Sequence, residues 1–195
     1  MIIDNVNVTI NVAATIDFDM PLKDSIPINI GGAMNNLELA KACKKLLIYC
    51  HISTAYANSE QPSGSRIKEQ VYDYGVDVIE MIEKIKKLPE DQLLKDTPKI
   101  LGAYPNTYTF TKSNAERILK LTRGSLPVVI VRPSIIGCSQ AEPAPGWVDS
   151  LAAAAAYVHA IGIGIANHTI GDPNVVIDLV PVDYVCNAIL LSCAF

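Results

Sequence analysis

A phenol and an ammonium stand four residues apart in the run Pro105-Asn106-Thr107-Tyr108-Thr109-Phe110-Thr111-Lys112. That spacing is about one helical turn, so Tyr108 and Lys112 project from one helix face and can meet one ligand. A cation beside a phenol lowers the phenol's pKa and readies it to exchange a proton near neutral pH. The same spacing also occurs on ordinary solvated helices, so the flanking residues decide its meaning. A hydroxyl at a strand end, Thr54 or Ser53, completes a set suited to reducing or oxidising a carbonyl. In that chemistry the hydroxyl hydrogen-bonds the carbonyl oxygen and Tyr108 protonates it as hydride reaches carbon. Lys112 holds the phenol's pKa down and binds a sugar hydroxyl of a dinucleotide.

Such a set needs a scaffold that brings strand ends and a helix together. Residues 6–12 alternate in polarity and predict a strand with one wet face, ended by the small residues Ala13-Ala14-Thr15. Residues 24–27 lead into Ile28-Asn29-Ile30-Gly31-Gly32, and a helix is expected near 33–45. Residues 46–52 are almost continuously apolar, the pattern of a parallel strand covered on both faces, and run into Ser53-Thr54-Ala55-Tyr56. A polar loop at 58–65 precedes an expected helix over 67–87, with Val71, Val78, Ile82 and Ile85 near helical spacing and Pro89 as its stop. After a short connector the helix of Tyr108 begins, with Asn106 or Thr107 as cap and Gly124 as close. Residues 127–131 form another buried strand, ended by Arg132-Pro133-Ser134. A short strand is expected at 175–180, and Asp183 is placed to cap a last helix.

Strands alternating with helices at crossover lengths give an α/β fold with a parallel sheet. Ligands in open sheets of this kind sit off the carboxyl ends of the strands. Ala13-Ala14, Ser53-Thr54 and Pro133-Ser134 all fall at that edge, and the helix of Tyr108 lies between the last two.

Composition narrows the class of partner. Half of the 195 residues are hydrophobic and 18% are charged, which describes a core-rich chain. A net charge of -4, with no stripe of Lys and Arg, argues against nucleic acid. The 5 cysteines include no Cys-x-x-Cys pair and no zinc spacing, so no metal site is expected and a reducing compartment fits best. The first residues lack the pattern of a signal peptide. The longest apolar run, 148–166, contains Asp149 and His159 and reads as a buried helix and turn.

The chain resembles the extended short-chain dehydrogenase/reductase superfamily, and within it the alcohol-forming fatty acyl-CoA reductases. The resemblance rests on Asn11-Val12-Ala13-Ala14, on His51-Ile52-Ser53-Thr54-Ala55-Tyr56-Ala57-Asn58 and on the run from Pro105 to Lys112. It continues through Val131-Arg132-Pro133-Ser134-Ile135-Ile136, Glu142-Pro143 with Pro145-Gly146-Trp147, and Pro181-Val182-Asp183-Tyr184-Val185. Tyr-x-x-x-Lys belongs to the whole superfamily, whereas the Pro-Asn-Thr-Tyr and Glu-Pro…Pro-Gly-Trp runs are more particular. The resemblance implies a Rossmann-like, doubly wound sheet. It places Tyr108 and Lys112 on the catalytic pair, Thr54 or Ser53 on the hydroxyl position, and Asn29 on a supporting asparagine. It turns Ala13, Ala14, Pro133, Ser134 and Ile135, with Tyr108 and Lys112, toward NADPH. The implied substrate is a fatty acyl-CoA, reduced through an aldehyde to a primary alcohol. Relatives are associated with the endoplasmic reticulum or peroxisomal membrane, through parts absent from this chain.

The chain also departs from the pattern. No Gly-x-x-Gly-x-x-Gly turn is present to hold a pyrophosphate, and Gly31-Gly32 stands in the wrong context for one. Residues 1–195 are therefore expected to be one partial dinucleotide-binding domain lacking its N-terminal strands, a fragment inactive alone. A helical insertion is expected at about 59–103 and the start of the substrate region at about 139–195. No basic residue stands in Gly162-Ile163-Gly164-Ile165-Ala166-Asn167, where relatives carry them. Two other readings compete: another extended reductase or epimerase acting on a sugar nucleotide or small ketone, and a non-catalytic partner protein that retains the site residues.

Overall fold

The computed structural model describes residues 2–168 and 170–194, which divide into two compact units, up to Arg132 and from Pro133 onward. In the first unit three parallel strands, β1 (Val8–Asn11), β2 (Ile48–Ile52) and β3 (Val128–Val131), lie in that order in one sheet. Asn11 pairs with His51 and Ile52 with Val131, so the strands end together at one edge.

Parallel neighbours need long crossovers, and helices supply them. The short helices α1 (Ile2–Asn5) and α2 (Leu22–Ser25) flank β1, and α3 (Gly32–Ala42) leads back to β2. Three further helices, α4 (Val78–Lys86), α5 (Glu90–Leu101) and α6 (Thr107–Thr122), separate β2 from β3. Leu37 and Ala40 of α3, Tyr49 of β2, and Phe110, Ala115 and Leu119 of α6 are buried in one core. The Tyr49 hydroxyl donates to the Ala33 carbonyl at 3.0 Å, so that face of β2 looks onto the helix layer. Side chains alternate along a strand, which puts His51 and Ser53 on the same face as Tyr49.

The strongest local signals behave as expected. Asn106 caps α6 by accepting the Thr109 amide at 2.9 Å, and Gly124 follows the helix at φ +63°. Left-handed backbone of that kind is where glycine costs least.

Other expectations need correction. The expected helix over 67–87 starts only at Val78, because Gly75 takes φ +68° and the Asp77 carboxylate caps Ile79 and Glu80 at 3.0 Å each. Residues 59–77 instead follow an irregular path whose carbonyls are taken by cations. Arg117 donates to Val76 at 2.9 Å, Lys120 to Val71 at 3.2 Å and Arg132 to Gln70 at 2.8 Å. The expected short connector after Pro89 contains α5, a helix of 12 residues that admits Pro98. Residues 26–31 form a π-helical segment running into α3, so Gly31 and Gly32 are both helical and make no phosphate turn.

The second unit is built on a separate parallel pair, β4 (Ile135–Gly137) and β5 (Leu179–Pro181), with Ile135 opposite Leu179. Of the strand expected at 175–180 only the last residues pair, and β4 was not expected. The apolar run at 148–166 is not a buried helix. Its helical part, α7 (Ala153–Gly162), leaves Val158 62% and Ile161 49% exposed. Asp183 lies inside α8 (Val182–Ala194) rather than capping it. Its carboxylate accepts the backbone amides of Gln140, Ala141 and Glu142 at 2.9–3.2 Å, and these hold its pKa down to about 2. Among the described residues no helix is long and apolar enough to cross a membrane.

Candidate active site

The first unit assembles its polar residues where β1 and β2 end. Thr54 follows β2 in extended backbone, and its side chain accepts the Tyr56 amide at 3.3 Å. The same hydroxyl also hydrogen-bonds the Tyr108 phenol. Ser53, 4% exposed, points to the opposite face, and its hydroxyl has no partner among the described residues. The geometry thus joins Thr54, and not Ser53, to Tyr108.

Tyr108 opens the first turn of α6 half-buried, with the Phe18 ring 5.4 Å from its own. Its neighbour Thr107 donates to the Phe18 carbonyl at 3.1 Å, which pins the loop after β1 against the start of α6. Burial raises the Tyr108 pKa, and the Thr54 hydrogen bond only partly opposes this. The expected lowering by Lys112 is not what this chain produces, because the ammonium is engaged elsewhere. Lys112, 3% exposed, donates to the Ile52 carbonyl at 2.5 Å. Its own pKa falls to about 8, mainly through burial, with Glu116 pulling the other way. Glu116 lies one further turn along α6 and holds Arg132 through both carboxylate oxygens, at 2.9 and 2.6 Å.

Asn29 sits in the π-helical segment and is 3% exposed. Its carbonyl oxygen accepts the Thr15 amide at 2.9 Å, while its NH2 donates to Thr111 at 2.9 Å and to the Thr15 carbonyl at 3.3 Å. It therefore braces the loop after β1 to the helix of Tyr108. In that loop Ala13 is exposed and Ala14 half-buried, beside the other strand end. Pro133, Ser134 and Ile135 belong to the second unit, where all three are half-buried and Ile135 opens β4.

Sequence reading passed over a second polar layer beneath the site. Asn36 donates to the Asn11 carbonyl oxygen at 3.2 Å, which turns the Asn11 NH2 toward His51 Nδ1 at 3.1 Å. An amide NH2 only donates, so Nδ1 accepts and the ring proton sits on Nε2. His51 is 1% exposed, and its pKa is lowered to about 3 by burial first and the Lys112 cation second. Strand parity with Ser53 was the one available signal for His51.

Residues 1–189 match the NAD-binding family described as male sterility protein. The chain is 40% identical to Fatty acyl-CoA reductase 1 of Xenopus laevis over 192 residues, covering 98% of this chain and 36% of that protein. It is 38% identical over 193 residues to Fatty acyl-CoA reductase 1 of Homo sapiens, covering 98% of this chain and 37% of that one. The chain thus spans about a third of the length of the curated relatives it matches.

Solved structures match in fold. A UDP-N-acetylglucosamine 4-epimerase from Methanobrevibacter ruminantium aligns with TM-score 0.65 at 15% identity, over 99% of this chain and 53% of that one. RMD from Pseudomonas aeruginosa, complexed with NADPH, aligns with TM-score 0.58 at 20% identity, over 96% of this chain and 55% of that one.

Proposed function

The chain belongs to the NAD-binding family described as male sterility protein, and on that premise we propose that the protein carrying it reduces long-chain fatty acyl-CoA to a primary alcohol with NADPH. The single observation that carries this reading is the joining of Thr54, Tyr108 and Lys112 at the carboxyl end of β2, within a chain 40% identical to a fatty acyl-CoA reductase.

The residues fit the nicotinamide end of a dinucleotide. A buried lysine that spends one N–H on Ile52 keeps others for ribose hydroxyls, and Ala13 and Ala14 are small enough to allow close approach. That cofactor supplies hydride to the substrate carbon. No Gly-rich turn for its pyrophosphate occurs in this chain.

Thr54 donates to the carbonyl oxygen of the thioester. The first hydride gives a tetrahedral alkoxide that collapses to an aldehyde and expels coenzyme A as thiolate, which takes a proton from solvent, and a second equivalent of NADPH supplies the next hydride. In the second reduction the aldehyde oxygen becomes an alkoxide and takes the Tyr108 proton, giving the alcohol. The raised pKa of Tyr108 suits this role, since the phenol is fully protonated at neutral pH and a strongly basic alkoxide still deprotonates it. Lys112 keeps its remaining N–H groups for the ribose, and the phenolate left behind is reprotonated from solvent. Asn29 acts through position alone, keeping α6 against the loop of Ala13 and Ala14.

Tyr108→Phe in the intact protein is expected to lower alcohol formation by about 10²–10⁴-fold while leaving the circular dichroism spectrum unchanged. A folded variant with full activity would overturn the assignment. The measurement is fatty alcohol released from acyl-CoA and NADPH.

A further inference from the structure

Lys112 is held from below by the Ile52 carbonyl, and the residues on either side of that carbonyl are unusual. His51 and Ser53 share one face of β2, the face whose Tyr49 hydroxyl reaches the helix layer. The Ser53 amide still continues the ladder, donating to Val131 at 2.8 Å, so strand geometry extends through it. Both side chains are at most 4% exposed, and both carry a polar atom, His51 Nε2 and Ser53 Oγ, with no hydrogen-bond partner among the described residues. Leaving a buried polar group unmade costs about 1–3 kcal/mol, so two side by side on one strand face call for an explanation.

The orientation of His51 is not accidental. The chain of Asn36 to Asn11 to His51 fixes the ring so that Nδ1 is occupied and the Nε2–H is presented outward. On the same face Lys112 brings its ammonium to the carbonyl between the two residues. The Lys112 charge acts on the His51 ring, and the Ser53 hydroxyl stands on the same strand face, so a donor and a hydroxyl with hydrogen-bonding capacity left over flank the carbonyl that the ammonium holds.

We propose that His51 and Ser53 bind an internal water against the Lys112 ammonium, and that His51 is thereby a positioning residue for the catalytic lysine. The water accepts from His51 Nε2–H and from one Lys112 N–H, and donates to Ser53 Oγ, which satisfies all three groups. It solvates the ammonium where protein alone would not. Lys112 then keeps its charge, and its other N–H groups stay directed at the Ile52 carbonyl and the sugar.

The charged or titratable groups that interact with Lys112 are Glu116 from its own helix and His51 from the sheet, with Tyr108 one turn earlier on that helix. Glu116 is committed to Arg132, and His51 is neutral above its pKa of about 3. Near pH 8, then, the variants below change solvation of the ammonium rather than charge.

This inference rests on the proposed catalytic role of Lys112, and its test reads the lysine directly. In the intact protein, the Lys112 side-chain carbon signal is followed by NMR against pH, assigned by its loss in Lys112→Met. His51→Phe is expected to lower the Lys112 midpoint by about one pH unit through loss of the solvating water. Ser53→Ala moves it less in the same direction, and His51→Gln, which retains a donor, restores it. The upper limb of the kcat/KM profile follows the same order. Unchanged midpoints in folded His51→Phe and Ser53→Ala would overturn the proposal. If His51→Phe does not fold, Ser53→Ala decides alone. A moved midpoint together with a fully active Tyr108→Phe would leave the water site standing and remove the reductase reading instead.

Discussion

Tyr108 and Lys112 are linked less directly than their spacing suggests. The lysine does not act as an ion beside the phenol. It reaches past it to the Ile52 carbonyl, and the hydroxyl that tunes Tyr108 in this chain is Thr54. Thr54→Val is therefore expected to raise the Tyr108 pKa further, because burial would act unopposed. Ultraviolet titration of tyrosinate, with Tyr108→Phe subtracted to isolate this phenol, checks the direction, and Thr54→Ser should restore it. His51 carries a second pH signature. Its pKa is about 3 in the fold against 6.5 for the free side chain, so as pH falls below 6.5 the unfolded chain takes up the proton first. The stability His51 contributes is complete above 6.5 and declines toward 3. His51→Gln is expected to flatten the rise of unfolding stability between about pH 5 and 6.5, where carboxylates contribute least. Equilibrium denaturation across that window measures it.

Among the elements, α6 carries more than its reactive pair. One face bears Tyr108, Lys112 and Glu116, and residues 117 and 120 reach outward to hold residues 59–77 by their carbonyls. Arg117 also lies 5.2 Å from the centre of the Tyr74 ring, which stacks on Tyr72. An irregular segment without its own backbone ladder depends on such contacts. Arg117→Ala should speed proteolytic cleavage within 59–77 several-fold while leaving α6 intact, as peptide mapping after brief digestion would reveal. The π-helical segment shows why the helix expected near 33–45 begins so much earlier. Its wider turn carries Asn29 to the Thr15 backbone and to Thr111 at once. π-bulges of this kind cluster at functional sites.

For the whole molecule the decisive fact is what the parallel sheet presents at its edges. Among the described residues β1 has one partner strand, β2, and Val8, Ile10 and Val12 of its neighbourhood are 39–62% exposed. An apolar strand with an open edge pairs readily with further strands. No Gly-rich turn accompanies that edge in this chain. Titration of the 195-residue chain with NADPH is expected to give no measurable binding by calorimetry or fluorescence. Tight binding would mean that the pyrophosphate is held by residues other than a Gly-rich turn.

Local chemistry made much of this legible beforehand. Apolar runs located β2 and β3, Asn106 and Gly124 bounded α6, a strand end pointed to Thr54 and helical spacing to Tyr108 and Lys112, whereas Asn29 came from the family resemblance alone. Each of those signals lies within a few residues of the feature it marks. The failures lie where distant partners decide. Val71 looked helical, yet cations on α6 and just after β3 and a glycine at φ +68° keep residues 59–77 irregular. Asp183 looked like a cap, yet three amides some forty residues away take its carboxylate. The choice between Ser53 and Thr54 depended on how the chain turns toward Tyr108 after β2 ends, and the pairing of Asn11 with His51 on strand register. The sequence alone determined which groups exist and which elements carry them. Only the tertiary structure decided which hydroxyl meets the phenol, where the lysine's proton goes and which buried groups lack partners, because hydrogen bonds between remote segments are set by packing and leave no local pattern.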